Sequence, residues 1–184
     1  MTVMTVVPRD PSEWAVGDLD HLPDDGLQYE LLDGVLLVSP APTVLHQVVT
    51  RAVFKAIDAA CPAGLLTLFA PLDWRPDPRT SVQPDVLVIR NQNLDVKHVT
   101  EVLTLAVEVL SPATRGKDLV WKRSKYEDAG VPSYWVVDPA VPSIVAWDLN
   151  DGRYQLAGEA TGSQKCELRR PFPRTLIPSD LIVP

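Results

Sequence analysis

Cysteine is nearly missing from this chain. Cys61 and Cys166 are the only two among 184 residues. They form no CxxC pair and no histidine cluster lies beside them, which argues against a zinc site and excludes a disulfide scaffold. The expectation is a reduced, cytoplasmic protein. Long apolar runs are also lacking. No stretch reaches the roughly 18 consecutive apolar residues of a spanning helix, so no membrane segment is expected. The opening residues have no basic start followed by an apolar run of signal length. An excess of positive charge is missing too: 24 acidic residues against 17 basic ones give a net charge of −7. That excludes a protein that coats nucleic acid nonspecifically, because such binding rests on many cationic phosphate contacts. It leaves room for a phosphate-handling site, since a metal can neutralise an acidic cleft and a local basic strip can hold a strand.

What is present is an ordinary globular composition. Hydrophobic residues make up 46% of the chain and charged residues 22%. A chain of this length fills about one domain with a real core. Residues 1–24 read as an N-terminal arm that Trp14, Val16, Leu19 and Leu22 dock as a short helix, and 25–184 as a single domain. Asp33-Gly34 between two apolar runs predicts a hairpin, because a type I′ turn needs positive φ at both central residues. Apolar residues from Val44 to Ile57 recur at helical spacing and predict a helix over about 43–60. Leu65–Trp74, Val86–Ile89, Val102–Leu110 and Tyr134–Val137 read as strands. Pro76–Thr80 reads as a loop, and about 116–129 as a helix closed by Gly130. A second hairpin is expected around Asn150-Asp151-Gly152. The proline-rich tail from Pro171 is expected to run extended over the surface.

The residues that suggest chemistry begin with Pro84-Asp85 at the head of one buried strand and Glu108 near the end of another. In the second strand Leu103, Leu105, Val107 and Val109 share one face, so Glu108 points to the other with Thr104 and Ala106. A carboxylate in so apolar a strand costs free energy unless it is paired or metal-bound. Two of them on neighbouring strands make an oxygen-rich site for a hard cation. The plainer alternative is that each acid sits at a strand end and reaches solvent. In the helix that follows, Asp118, Lys122, Lys125 and Tyr126 fall on one face, which a solvated Asp118–Lys122 pair alone would explain. Arg115, Lys117, Lys122, Arg123 and Lys125 oppose only Asp118, a candidate strip for phosphates. His46 at the start of the first long helix reads as a capping or packing residue, and Trp121 and Trp135 as core anchors.

The motifs also have a recognisable order. Tyr29-Glu30-Leu31-Leu32-Asp33-Gly34 comes first, then Ser39-Pro40-x-Pro42 with His46, then Pro84-Asp85. Val107-Glu108-Val109-Leu110-Ser111-Pro112 follows, then Asp118-x-x-x-Lys122-x-x-x-Tyr126, then Gly130-Val131-Pro132-x-Tyr134-Trp135-x-x-Asp138-Pro139. This order resembles the Uma-two family of restriction endonucleases, within the PD-(D/E)XK nuclease superfamily.

The resemblance implies an α/β fold of the restriction-endonuclease type, a central mixed β-sheet flanked by helices with the site at one end of the sheet. It implies a Mg²⁺- or Mn²⁺-dependent nuclease acting on nucleic acid, with DNA as the expected substrate and a homodimer as the expected assembly. On matching positions Asp85 and Glu108 become metal ligands, assisted by the backbone carbonyl near Val109. Glu30 becomes the acidic residue that completes or orients the metal site, and Lys122 the catalytic cation, with Lys125 its rival. Lys125, Arg115 and Lys117 become candidates for holding substrate phosphates, and His46, Asp118 and Tyr126 complete the matching positions. The chain departs from the superfamily pattern at one place. That pattern asks for a lysine two residues after the glutamate, and this chain has Leu110. The departure keeps open an inactive nuclease-fold binding module, or a structural interaction protein whose acidic cluster is solvated.

Overall fold

The computed structural model of the chain describes residues 14–91, 94–111, 116 and 118–183. Its framework is a six-stranded mixed sheet in the order β10-β9-β8-β7-β6-β3, comprising β3 (Leu65–Phe69), β6 (Val86–Arg90), β7 (Leu105–Val109), β8 (Ser133–Asp138), β9 (Ser143–Asn150) and β10 (Arg153–Thr161). Only β7 and β8 run parallel. They are joined by a helical crossover, as parallel neighbours require. A second sheet, in the order β2-β1-β5-β4, contains β1 (Gln28–Leu32), β2 (Val35–Ser39), β4 (Trp74–Asp77) and β5 (Thr80–Val82). The segment around Val99 stitches it to the first. Val99 N–H donates to Asp73 O at 2.8 Å, Arg75 N–H donates to Val99 O at 2.7 Å, and the Trp74 indole donates to Glu101 O at 2.9 Å.

Both expected hairpins are present. Asp33 and Gly34 have φ of 51° and 87°, and Asp151 and Gly152 have 50° and 76°, the paired positive values that a two-residue type I′ turn demands. Helix α2 runs Val44–Asp58, and its Thr43 cap accepts the His46 N–H at 3.2 Å. Val49, Val53 and Ile57, four residues apart, form its buried stripe and pack on one face of the six-stranded sheet with Val86, Val88, Leu105 and Val107. Each such side chain contributes about 1.5–3 kcal/mol when fully buried. The other face carries Leu87, Ala106, Tyr134 and Val136. It is covered by the second sheet and by the crossover, which is a π-helical turn, Asp118–Lys122, running into helix α3, Arg123–Asp128.

Several expectations need correction. The stretch 65–74 is not one strand: β3 ends at Phe69, Pro71 offers no ladder donor, and Trp74 starts a strand of the other sheet. Residues 76–80 are not a simple loop but the tip of the β4–β5 hairpin. Leu103 lies before β7 and packs with Leu87 and Ala106, away from Leu105 and Val107. The tail does not run over the surface. Strands β11 (Cys166–Leu168) and β12 (Arg174–Leu176) pair, helix α4 spans Pro178–Leu181, and Phe172, Leu176 and Leu181 are buried against α2 and the sheet. Gly158 lies close under β11: a Cβ there would lie 2.9 Å from Leu168 Cδ2, so that side chain would have to shift. Trp121 is exposed, whereas Trp135 is fully buried as expected. In the arm, residues 1–13 lie outside the described residues. Helix α1 (Val16–Leu19) and the buried Trp14 pack on Leu31 and Leu36.

Candidate active site

Extending the antiparallel β6–β7 register, Val86 opposite Val107, by one residue places Asp85 opposite Glu108. Directly opposed residues of an antiparallel pair have Cβ atoms about 5 Å apart on one face. The Val109 N–H donates to Asp85 Oδ2 at 2.7 Å, which fixes the aspartate against the glutamate strand. The first turn of α2 then brings His46 Nε2 to 3.3 Å from the same Oδ2. Thr50 Oγ1 lies 3.4 Å from His46 Nδ1.

Glu108 is 2% exposed, Glu30 5% and Lys122 5%. The Lys122 ammonium joins them: Nζ is 2.9 Å from Glu30 Oε1 and 3.3 Å from Glu108 Oε1 and Oε2. Two neutral donors complete the carboxylates. Tyr126 Oη donates to Glu108 Oε1 at 2.8 Å and the Gln83 N–H to Glu30 Oε1 at 2.7 Å. Burial and then the Glu108 charge push the Tyr126 hydroxyl well above the ordinary tyrosine range, so it stays a proton donor. Its ring stacks on Trp74 at 5.3 Å and leans on Tyr134 at 5.1 Å. The π-helical turn, a feature common at functional sites, ends at Lys122. From there the Lys122 and Tyr126 side chains both meet Glu108.

These groups lie at one cleft of about 1140 Å³ whose lining includes Glu30, His46, Asp85, Glu108, Val109 and Lys122. Lys125 is elsewhere. Its Nζ lies 2.5 Å from Asp33 Oδ1 in the β1–β2 turn and 2.7 Å from Asp77 Oδ2 at the end of β4. Arg123 sits over the Trp147 ring, 4.8 Å from its centroid. Of the expected basic strip, the described lysines are therefore committed to carboxylates. Arg115 and Lys117 lie outside the described residues, as does the Asp118 side chain.

Sequence reasoning missed the polar wall of the cleft. Gln28 Nε2 donates to Gln83 Oε1 at 2.9 Å, Gln83 Nε2 to Asp73 Oδ1 at 2.7 Å, and Arg75 Nη2 to Asp73 Oδ2 at 2.7 Å. Gln83 stands two residues before Asp85. That adjacency was the one signal available.

The donors suit a small hard cation. Asp85 and Glu108 offer carboxylate oxygens and Val109 a carbonyl. Among the described residues no three His, Cys, Asp or Glu side chains gather into a ready-made cage. Mg²⁺ does not need one, because it is held by one or two carboxylates with waters and substrate phosphates filling the rest.

A family model described as "Putative restriction endonuclease", Uma2, matches residues 16–178. The chain belongs to this family. No curated protein matches it. Among solved structures it is similar to one titled "a putative nuclease belonging to DUF820" from Anabaena variabilis ATCC 29413. That match has 14% identity over 92% of this chain and 97% of the other, with a TM-score of 0.71. At that identity the likeness speaks to the fold, which is restriction-endonuclease-like.

Proposed function

We propose that this Uma2-family protein is a metal-dependent nuclease that hydrolyses phosphodiester bonds in DNA. The observation that carries the reading is Lys122, delivered by a π-helical turn to Glu108 and Glu30, with Asp85 fixed opposite Glu108. It supports reading Lys122 as the stand-in for the lysine that the pattern asks for at Leu110. The cation arrives from the crossover instead of from the strand.

In this reading Asp85, Glu108 and the Val109 carbonyl would hold Mg²⁺ or Mn²⁺, which would supply Lewis-acid chemistry toward the scissile phosphate and the attacking water. The chain's own residues do the remainder. Lys122 supplies positive charge where the phosphorane develops, in a recessed site where a preorganised charge acts more strongly than in water. Glu30 aims that ammonium. Tyr126 holds the Glu108 carboxylate in one orientation, and His46 steadies Asp85 at the oxygen that also accepts the Val109 N–H.

The test is a cleavage assay on the purified protein with Mg²⁺, with excess chelator, and with Asp85→Ala. Activity that needs the metal and falls by at least about 10³-fold in the variant, with the circular dichroism spectrum unchanged, is the expected result. Enzymes of this kind supply rate factors of roughly 10⁶ or more. Cleavage that survives in chelator or in Asp85→Ala overturns the assignment.

A further inference from the structure

The shape of the cleft restricts which form of nucleic acid can use it. Its volume of about 1140 Å³ corresponds to a space on the order of 10 Å on an edge, near the upper end of ligand pockets. A B-form duplex has grooves roughly 8 Å deep on opposite sides of its stack, making a stiff cylinder on the order of 20 Å across. Such a cylinder can lie across the mouth but cannot enter. Yet the groups that would act on a phosphate are on the floor, with Glu108, Glu30 and Lys122 at 2–5% exposure. Leu19, Leu22 and Leu27 on one segment and Ser39 to Thr43 on another belong to the same lining.

The lining chemistry points the same way. The ladder of Gln28, Gln83, Asp73 and Arg75 puts amide and guanidinium groups in the lining of the cleft, with part of their donors bonded to one another. Those are the groups that pair with the polar edges of bases. Leu27 and Pro40 line it as well, apolar surfaces suited to base faces. Base faces are free only when the strand is unstacked, and Watson–Crick edges only when it is unpaired. Enzymes that act on a base hidden in a duplex work on single strands or extrude the nucleotide, and a lining that takes up bases makes the same demand.

We infer that the substrate strand enters unpaired, so that the protein cuts single-stranded segments such as overhangs, flaps and loops, and not continuous duplex. The inference rests on the nuclease reading above and narrows its substrate.

The experiment uses the full chain and one labelled 30-nucleotide DNA in three forms: alone, fully paired, and paired to a shorter complement that leaves a 12-nucleotide arm. Cleavage is followed in Mg²⁺ and in Mn²⁺. The expected result is cutting of the lone strand at least 20-fold faster than the duplex, with cuts in the third substrate confined to its arm. Duplex cleavage at an equal or greater rate overturns the inference. Fluorescence anisotropy of the same DNAs with Ca²⁺ replacing Mg²⁺ separates the two readings. At least tenfold tighter binding of the single strand, with no cleavage of any form, upholds the entry of an unpaired strand while the hydrolytic reading fails. No binding of either form, or equal or tighter binding of the duplex, overturns the inference.

Discussion

Lys122 and Lys125 lie about one helical turn apart, and each ammonium bridges two carboxylates from different strands or turns. Lys122 joins Glu30 of β1 to Glu108 of β7. Lys125 joins Asp33 of the β1–β2 turn to Asp77 at the end of β4. Both therefore tie the β1–β2 hairpin to the rest of the chain. They differ in the company they keep. The partners of Lys122 are buried, hydrogen-bonded by Tyr126 and the Gln83 backbone, and lie beside Asp85. Asp33 is 67% exposed and Asp77 36%. Similar charge geometry is thus enclosed beside the cleft in one place and clamps surface turns in the other. What decides is solvent: an exposed pair is worth about 0–1 kcal/mol, whereas removing one member of a buried set leaves uncompensated charge.

The sharpest way to break this comparison is to remove each ammonium in turn. Lys122→Met should lower turnover at least about 100-fold, the scale of losing one preorganised donor to developing charge. It should also destabilise the fold by about 3–5 kcal/mol, because Glu30 and Glu108 are left buried without their cation. Lys125→Met should leave turnover within about threefold and cost at most about 1 kcal/mol. Urea melts measure the stability term, and assays well below each variant's midpoint measure turnover. If Lys125→Met abolishes cleavage while Lys122→Met keeps it, the roles assigned to the two lysines are reversed.

A smaller effect sharpens the account of Glu108. Tyr126→Phe removes one oxygen and keeps the ring between Trp74 and Tyr134. Hydrogen bonds to charged groups contribute about 1.5–3 kcal/mol, so a loss near 2 kcal/mol in stability is expected. Turnover should fall about tenfold with KM nearly unchanged, since the carboxylate then loses the hydroxyl that fixes its orientation. A variant that changes KM and leaves kcat intact would show that Tyr126 acts on binding and not on the orientation of Glu108.

These contrasts also explain what could be read from the chain. Turn chemistry is local, so Asp33-Gly34 and Asn150-Asp151-Gly152 announced their hairpins. The stripe of Val49, Val53 and Ile57 announced α2. Asp85, Glu108, Glu30 and Lys122 were legible as candidates, the acids through their place beside apolar strands and all four through motif order, and the structure does gather them. Their mutual geometry was not legible. It depends on the β6–β7 register and on a π-helical turn that no residue pattern marks. The tail was misread because Phe172, Leu176 and Leu181 are too sparse to show a period, and their burial is decided by distant α2. Trp121 was misread because an aromatic residue on a short crossover has no periodic neighbour to say which way it faces. The Gln28–Gln83–Asp73–Arg75 ladder joins residues up to 55 positions apart, beyond the reach of any local signal.

The smallest expected effect concerns pH, and it belongs to the Lys125 clamp. Desolvation alone would raise the Asp77 carboxyl. The hydrogen bonds from Lys125 and the Arg79 N–H and the Lys125 charge outweigh it, so Asp77 titrates below its ordinary 3.8. Desolvation alone would lower Lys125, but its bonds to Asp33 and Asp77 hold it above its ordinary 10.5. The depressed carboxyl contributes stability that is present above about pH 4 and is lost as pH falls through its lower folded value. The raised ammonium contributes stability that is complete below about pH 10 and is lost as pH rises through its higher folded value. The stability difference between the parent and Lys125→Met should therefore be flat from about pH 5 to pH 9 and shrink on both flanks. Partial exposure limits its height to about 1 kcal/mol or less. In 1 M salt, where the screening length is about 3 Å, it should shrink further, while the difference caused by Lys122→Met should hold because a buried set is little screened. Urea melts of the three proteins at pH 3.5, 7 and 10.5, in low and high salt, measure both. A Lys125→Met difference that ignores salt and stays level across all three pH values would mean the clamp works through the packing of the lysine stem, and the electrostatic half of the comparison would fall.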